Sequence, residues 1–178
     1  IFSLHGQTKD ALAKTKAGSW EYDIIIPGYK CNMTDIMASI GLVQLDRYPK
    51  LLERRLELVE KYNKGFEGSR VIPLVHNTKD HKSSNHLYIT HVEGATFEQR
   101  GEIITKMAER GISCNVHYKP LPLLTAYKNL GFDMNDYPNS YSYYVNEVTL
   151  PLHTRLSDDD IKIIVENFKE VIVEVVGE

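Results

Sequence analysis

Apolar residues recur at helical spacing from Thr34 to about Tyr48, with Ile36, Ile40 and Val43 on one face. Thr34 or Asp35 stands where an N-cap belongs. Pro49 kinks the helix or restarts it. A second helix follows, with Leu52, Leu56, Val59 and Phe66 among its apolar positions and Glu53, Arg54, Arg55, Glu57, Glu60 and Lys61 on its other faces. Those charges read as a solvated surface. Upstream, residues 1–33 show little periodicity; the run Ile24-Ile25-Ile26 is a short strand or a buried extended segment.

Val71 to Asn85 is irregular and polar, and His86 to Val92 reads as a strand. Thr96-Phe97-Glu98-Gln99 fits a capping box. Its helix carries Phe97, Ile103, Ile104, Met107 and Ala108 as the apolar set, and Gly111 stops it. Strict alternation follows: Ile112, Cys114, Val116 and Tyr118 face one way, Ser113, Asn115, His117 and Lys119 the other, until Pro120 and Pro122. Leu123 to Leu130 predicts a short helix closed by Gly131. Pro138 opens another, with Tyr141, Tyr144, Val145 and Val148 on one side. Leu150-Pro151-Leu152 is a short extended piece at an edge or strand end. Ser157-x-x-Asp160 caps a last helix through Ile161, Ile164, Phe168, Ile172 and Val175. The order β-α-β-α-α-β-α after the long helices predicts a small α+β domain, its antiparallel or mixed sheet covered by helices.

The 178 residues suffice for a real core. A net charge of −3 gives no sign of a nucleic-acid or membrane partner, and no apolar run approaches membrane-spanning length. Cys31 and Cys114 are too few for a disulfide framework and read as free thiols of a reducing cytosol. The chain begins at Ile1, without Met and inside what reads as a loop, which suggests a piece of something longer. Histidines 76, 81, 86 and 91 recur every five residues, a spacing that shares no helix or strand face. With no ligand partner near either cysteine, no metal is expected. Asp158-Asp159-Asp160, in the first turn of a helix, complements the helix dipole. Trp20 and the tyrosines are not joined to a basic patch and read as core and cleft packing.

Chemistry concentrates in Gly28-Tyr29-Lys30-Cys31-Asn32-Met33-Thr34-Asp35-Ile36-Met37-Ala38-Ser39-Ile40-Gly41-Leu42. Lys30 and Asn32 lie just upstream of a helix start, whose unpaired N–H groups and partial positive charge favour anions. Ala38, Ser39 and Gly41 permit close approach of another element, which is ordinary tight packing. On to Gln44 and Leu45, this stretch resembles the segment that follows the catalytic-lysine region in the DegT/DnrJ/EryC1/StrS family of sugar-nucleotide aminotransferases. His117-Tyr118-Lys119-Pro120-Leu121 resembles a family motif bordering the sugar-nucleotide pocket, and Asn85-His86-Leu87-Tyr88 its first small-domain strand.

The resemblance implies an α/β fold, the C-terminal part of a type I aminotransferase, and dependence on pyridoxal 5'-phosphate. Residues 1–33 would be the end of the large domain and an active-site loop, 34–68 the interdomain helices, and 69–178 the small α+β domain. Asn32 would bind the cofactor phosphate across a homodimer with shared active sites. Lys30 would neighbour the phosphate or the substrate, and Tyr29, His117 and Tyr118 would belong to the substrate pocket. His86 would lie near the cleft or serve to fix its strand. The expected reaction moves an amino group from an amino acid, glutamate, to a nucleotide-diphosphate keto sugar in cell-surface polysaccharide or modified-sugar biosynthesis, in the cytoplasm. The Schiff-base lysine is expected upstream of Ile1, so this piece alone is expected to be inactive. A dehydratase of the same family is the alternative reaction. A non-catalytic α+β binding module is the alternative class.

Overall fold

The computed structural model describes residues 5–7, 23–31 and 33–177. Two compact units divide the chain, Ile1–Tyr48 and Pro49–Glu178.

In the first unit Gln7 and Ile24 form an antiparallel bridge, and the Gly6 carbonyl accepts from the Ile25 N–H at 3.1 Å. Gly6 has φ +79, and a Cβ there would lie 1.9 Å from the Ile26 carbonyl oxygen, so only glycine fits. Ile24 and Ile25 are exposed, so their run is extended but not buried. Helix α1, Asp35–Phe66, starts at Thr34, whose Oγ1 accepts from the Met37 N–H. Pro49 neither ends nor restarts it: one 32-residue helix passes through where two were expected. Proline removes a single helical hydrogen bond, and the residues on both sides of it are helix formers.

The second unit is built on an antiparallel sheet ordered β1 (Val71–Pro73), β2 (Tyr88–Val92), β3 (Glu147–Leu150). Tyr88, Thr90 and Val92 of β2, with Val148 and Leu150 of β3, point into the core. There they meet Leu58, Val59, Tyr62 and Phe66 of α1, Ile103 and Met107 of α2 (Phe97–Glu109), and Ile161, Ile164, Phe168, Val171 and Ile172 of α5 (Asp158–Val176). Tyr62 stacks on Tyr88 at 4.4 Å between ring centres. Each hydroxyl keeps a partner, Pro151 O at 2.8 Å and Asn63 Oδ1 at 2.9 Å, and burial pushes both phenols up.

The expected caps are present. Thr96 and Gln99 form a reciprocal box at α2, as do Ser157 and Asp160 at α5. At the end of α2, Gly111 takes φ +78 and donates to Ala108 O, while Ile112 donates to Met107 O, the paired bonds of a Schellman stop. Short helices α3 (Thr125–Asn129) and α4 (Pro138–Val145) lie between.

Three differences from the sequence pattern stand out. The irregular stretch after residue 70 contains β1. Val148, read as helical, lies in β3, whose four residues are all buried and so show no alternation. The alternating run 112–119 is not a full strand: Asn115 alone bridges β3, at Thr149. Its backbone donors turn to side chains instead, Val116 N–H to Asn115 Oδ1 and His117 N–H to Glu147 Oε2.

Candidate active site

The sheet's second face mixes polar and apolar side chains. Ile89 and His91 of β2 and Glu147 of β3 point away from the helices, and the chain at 116–118 crosses beside them. Together with Leu74, Tyr118, and Ser140, Tyr143 and Tyr144 of α4 they line a cavity of about 260 Å³. Arg100, only 4% exposed, lies between the rings of Phe97 and Tyr144 at 4.8 and 4.7 Å and ties α4 to α2.

Within this cavity one hydrogen-bonded group is fully connected. The buried Glu147 carboxylate accepts the His117 backbone N–H on Oε2 at 2.9 Å and the Thr149 hydroxyl on Oε1 at 2.5 Å. Thr149 Oγ1 in turn meets His117 Nδ1 at 2.9 Å. The Tyr118 ring stands edge-on to His117 at 4.6 Å and is largely exposed. His91 contacts Asn146 Oδ1 through Nδ1 at 3.2 Å and packs edge-on against Tyr143.

The structure therefore brings His117 and Tyr118 together. His86 is elsewhere: it is exposed, does not line the cavity, and its carbonyl accepts from Arg55 Nη1 at 3.0 Å, as Asn85 O does at 3.1 Å. In the first unit, Tyr29 and Lys30 are both exposed; the Tyr29 carbonyl accepts from the His5 N–H. Asn32 and Trp20 lie outside the described residues. With Thr34 already holding the Met37 N–H and Asp35 in the first turn, the start of α1 is partly satisfied by its own side chains. An anion there would be held mainly by donors upstream, and an ammonium such as that of Lys30 has the right chemistry for a phosphate.

Glu147, Thr149, His91 and the α4 tyrosines were missed as site residues. The available signal was Glu147-x-Thr149, two polar side chains on one face of an otherwise apolar strand, hidden by the assignment of Val148 to a helix. The evenly spaced histidines serve separate ends. His76 meets Ser83, and burial pushes its ring down; His81 meets Thr78; His91 alone reaches the cavity. Among the described residues no three His, Cys, Asp or Glu side chains gather in a metal-binding arrangement. Cys31 is exposed, while burial pushes the Cys114 thiol up to about 12.

A small three-stranded antiparallel sheet covered by helices, following a long helix, is the architecture of the C-terminal part of the type I aminotransferases. Residues 1–169 match the DegT/DnrJ/EryC1/StrS aminotransferase family, and the chain belongs to it. It is 35% identical to the spore coat polysaccharide biosynthesis protein SpsC of Bacillus subtilis over 97% of this chain and 45% of that one. It is 28% identical to a UDP-4-amino-4,6-dideoxy-N-acetyl-beta-L-altrosamine transaminase of Campylobacter jejuni over 98% of this chain and 44% of that one. Among solved structures, Spr1654 of Streptococcus pneumoniae in its PMP-form superposes with a TM-score of 0.87 at 65% identity, over 98% of this chain and 44% of that one. The chain thus spans less than half the length of these relatives. Among the described residues no helix is long and apolar enough to cross a membrane.

Proposed function

We propose that the protein carrying this chain is a pyridoxal 5'-phosphate-dependent transaminase that moves an amino group from glutamate to a nucleotide-diphosphate keto sugar. Family membership supports the class, and a relative that bears the name of a UDP-amino-sugar transaminase supports the substrate. The observation that carries the sugar side is the cavity in which His117 and Tyr118 meet a buried, fully bonded Glu147. Hydrogen-bonding side chains beside aromatic rings suit a polyhydroxyl ligand.

In this reading Lys30 and Asn32 bind the cofactor phosphate, offered to the second copy of a homodimer with shared active sites. When bound, the cofactor supplies the electron sink for amino-group movement. His117 and Tyr118 hold and orient the sugar, Tyr29 and Lys30 serve as further substrate-binding residues, and His86, which lies outside the cavity, helps fix its strand. Residues 1–33 close the large domain, 34–68 join the domains, and 69–178 form the small domain. Ile36, Ile40, Val43 and Leu45, all more than half exposed, give the dimer and the rest of the protein an apolar surface to cover. Two free thiols accord with the cytoplasm.

The test is formation of 2-oxoglutarate by the full-length enzyme from glutamate and a UDP-linked 4-keto-6-deoxy sugar. No 2-oxoglutarate, or loss of water from the sugar, counts against the reading. Asn32→Ala is expected to weaken cofactor affinity, and unchanged affinity would remove its phosphate role.

A further inference from the structure

With Glu147 ionised, the hydrogen atoms around it have only one consistent arrangement. Both carboxylate oxygens accept, Oε2 from the His117 backbone and Oε1 from the Thr149 hydroxyl. A threonine hydroxyl has one proton, and here it is given to Glu147. Thr149 Oγ1 can then only accept from His117, so the neutral imidazole carries its proton on Nδ1. Nε2 is left with a lone pair. Among the described residues nothing bonds to it, and it is not sealed from solvent, while the ring lines the cavity.

We propose that Glu147 and Thr149 are positioning residues that fix His117 as the Nδ1–H tautomer and so present Nε2 as a hydrogen-bond acceptor to a hydroxyl of the substrate sugar. The assignment of the ligand as a sugar rests on the function proposed above; the tautomer does not. The arrangement resembles the second partner that orients a metal-binding or catalytic histidine, except that the histidine here donates to a neutral acceptor, the Thr149 hydroxyl oxygen. Glu147 is 3% exposed and Thr149 5% exposed, so water does not compete for either bond.

The two side chains make opposite substitutions informative. Glu147→Gln replaces one acceptor oxygen with an amide donor of the same shape. Its NH2 can donate to Thr149 Oγ1, which frees the hydroxyl proton for His117 Nδ1 and moves the imidazole proton to Nε2. Thr149→Val keeps the shape and removes the acceptor. Thr149→Ser keeps the hydroxyl.

The experiment uses the full-length enzyme labelled with 15N-histidine, read by long-range proton–nitrogen correlation at a pH where imidazoles are neutral. His117 is expected as the Nδ1–H tautomer in the native enzyme and in Thr149→Ser. It is expected to shift toward Nε2–H in Glu147→Gln and Thr149→Val. A native His117 in the Nε2–H form overturns the proposal without any variant, so a poorly folding Glu147→Gln leaves it testable. An unchanged tautomer in a folded Thr149→Val also overturns it.

For the ligand, UDP-N-acetylglucosamine is the probe. Thr149→Val is expected to raise its dissociation constant about tenfold, the worth of one neutral hydrogen bond, with Thr149→Ser restoring it. Equal affinity in native and Thr149→Val enzymes overturns the sugar-acceptor role. A native enzyme with the expected tautomer that transfers nitrogen to no nucleotide sugar instead overturns the proposed function and leaves the tautomer standing.

Discussion

The two halves of α1 carry similar patterns and meet different fates. Toward its end, Leu58 and Tyr62 are completely buried. Toward its start, Ile36, Ile40 and Val43 follow the same spacing and remain 75%, 54% and 58% exposed. Helical periodicity reports that a face is apolar. It does not report whether the partner of that face belongs to the same chain. The glycines make the same point: a Cβ on Gly65 would come within 2.9 Å of Val165, whereas among the described residues one on Gly41 would meet nothing within 4 Å. Among the described residues, close approach of another element is present at Gly65 and absent at Gly41.

Substitutions along this helix sharpen the contrast. The largest expected effect is Leu58→Ala, which should cost about 2–5 kcal/mol, the range for a buried leucine that leaves a cavity. Urea unfolding measures it, and a loss below about 1 kcal/mol would mean the C-terminal half is not core. The glycine pair comes next, with opposite signs. Gly65→Ala should destabilise by about 1 kcal/mol, because crowding of the stiff Val165 side chain exceeds the gain in helix propensity. Gly41→Ala should stabilise by about 0.5–1 kcal/mol, since it gains propensity and meets no obstacle. Equal signs would erase the distinction. Ile40→Ala should change the unfolding of this chain by less than about 0.5 kcal/mol.

The smallest effect is electrostatic. Asp158 at the start of α5 pairs with Lys61 at 3.0 Å and Arg54 at 3.1 Å, both on the buried half of α1. Hydrogen bonds from these cations hold its carboxyl below the ordinary value of 3.8. A depressed folded-state value means the contribution is present above 3.8 and is lost as pH falls through the lower, folded value. The stability gap between the native protein and Asp158→Asn should therefore narrow on acidification and with added salt. A gap that widens in acid has the wrong sign. The thiols offer a parallel readout: Cys31 should react promptly with a disulfide reagent, and Cys114 only on unfolding.

Local rules were the most legible part of the sequence. Thr96 with Gln99, and Ser157 with Asp160, specify their helix starts within four residues, and Gly111 specifies a stop through its own backbone. Strands were harder because their evidence is distant. β1 is three residues long and ends in proline, too short for a period to appear. β3 is buried at every position, so alternation vanishes. The run 112–119 alternates cleanly, yet a single bridge at Asn115 joins it to β3, and the Val116 and His117 amides turn to the Asn115 and Glu147 side chains. The same distance effect divides the site. His117 and Tyr118 stood out through their resemblance to a family motif. Glu147 and Thr149 acquire their roles only when β3 folds beside that motif.

Amino-group transfer to a sugar nucleotide is the central proposal, and isotope transfer tests it directly. The full-length enzyme would be incubated with 15N-glutamate and a UDP-linked 4-keto-6-deoxy sugar, and the sugar product examined by mass spectrometry. One 15N atom is expected on the sugar, lost together with 2-oxoglutarate formation when cofactor is removed. A product that has lost water and carries no label, or unchanged sugar under saturating cofactor, would contradict it.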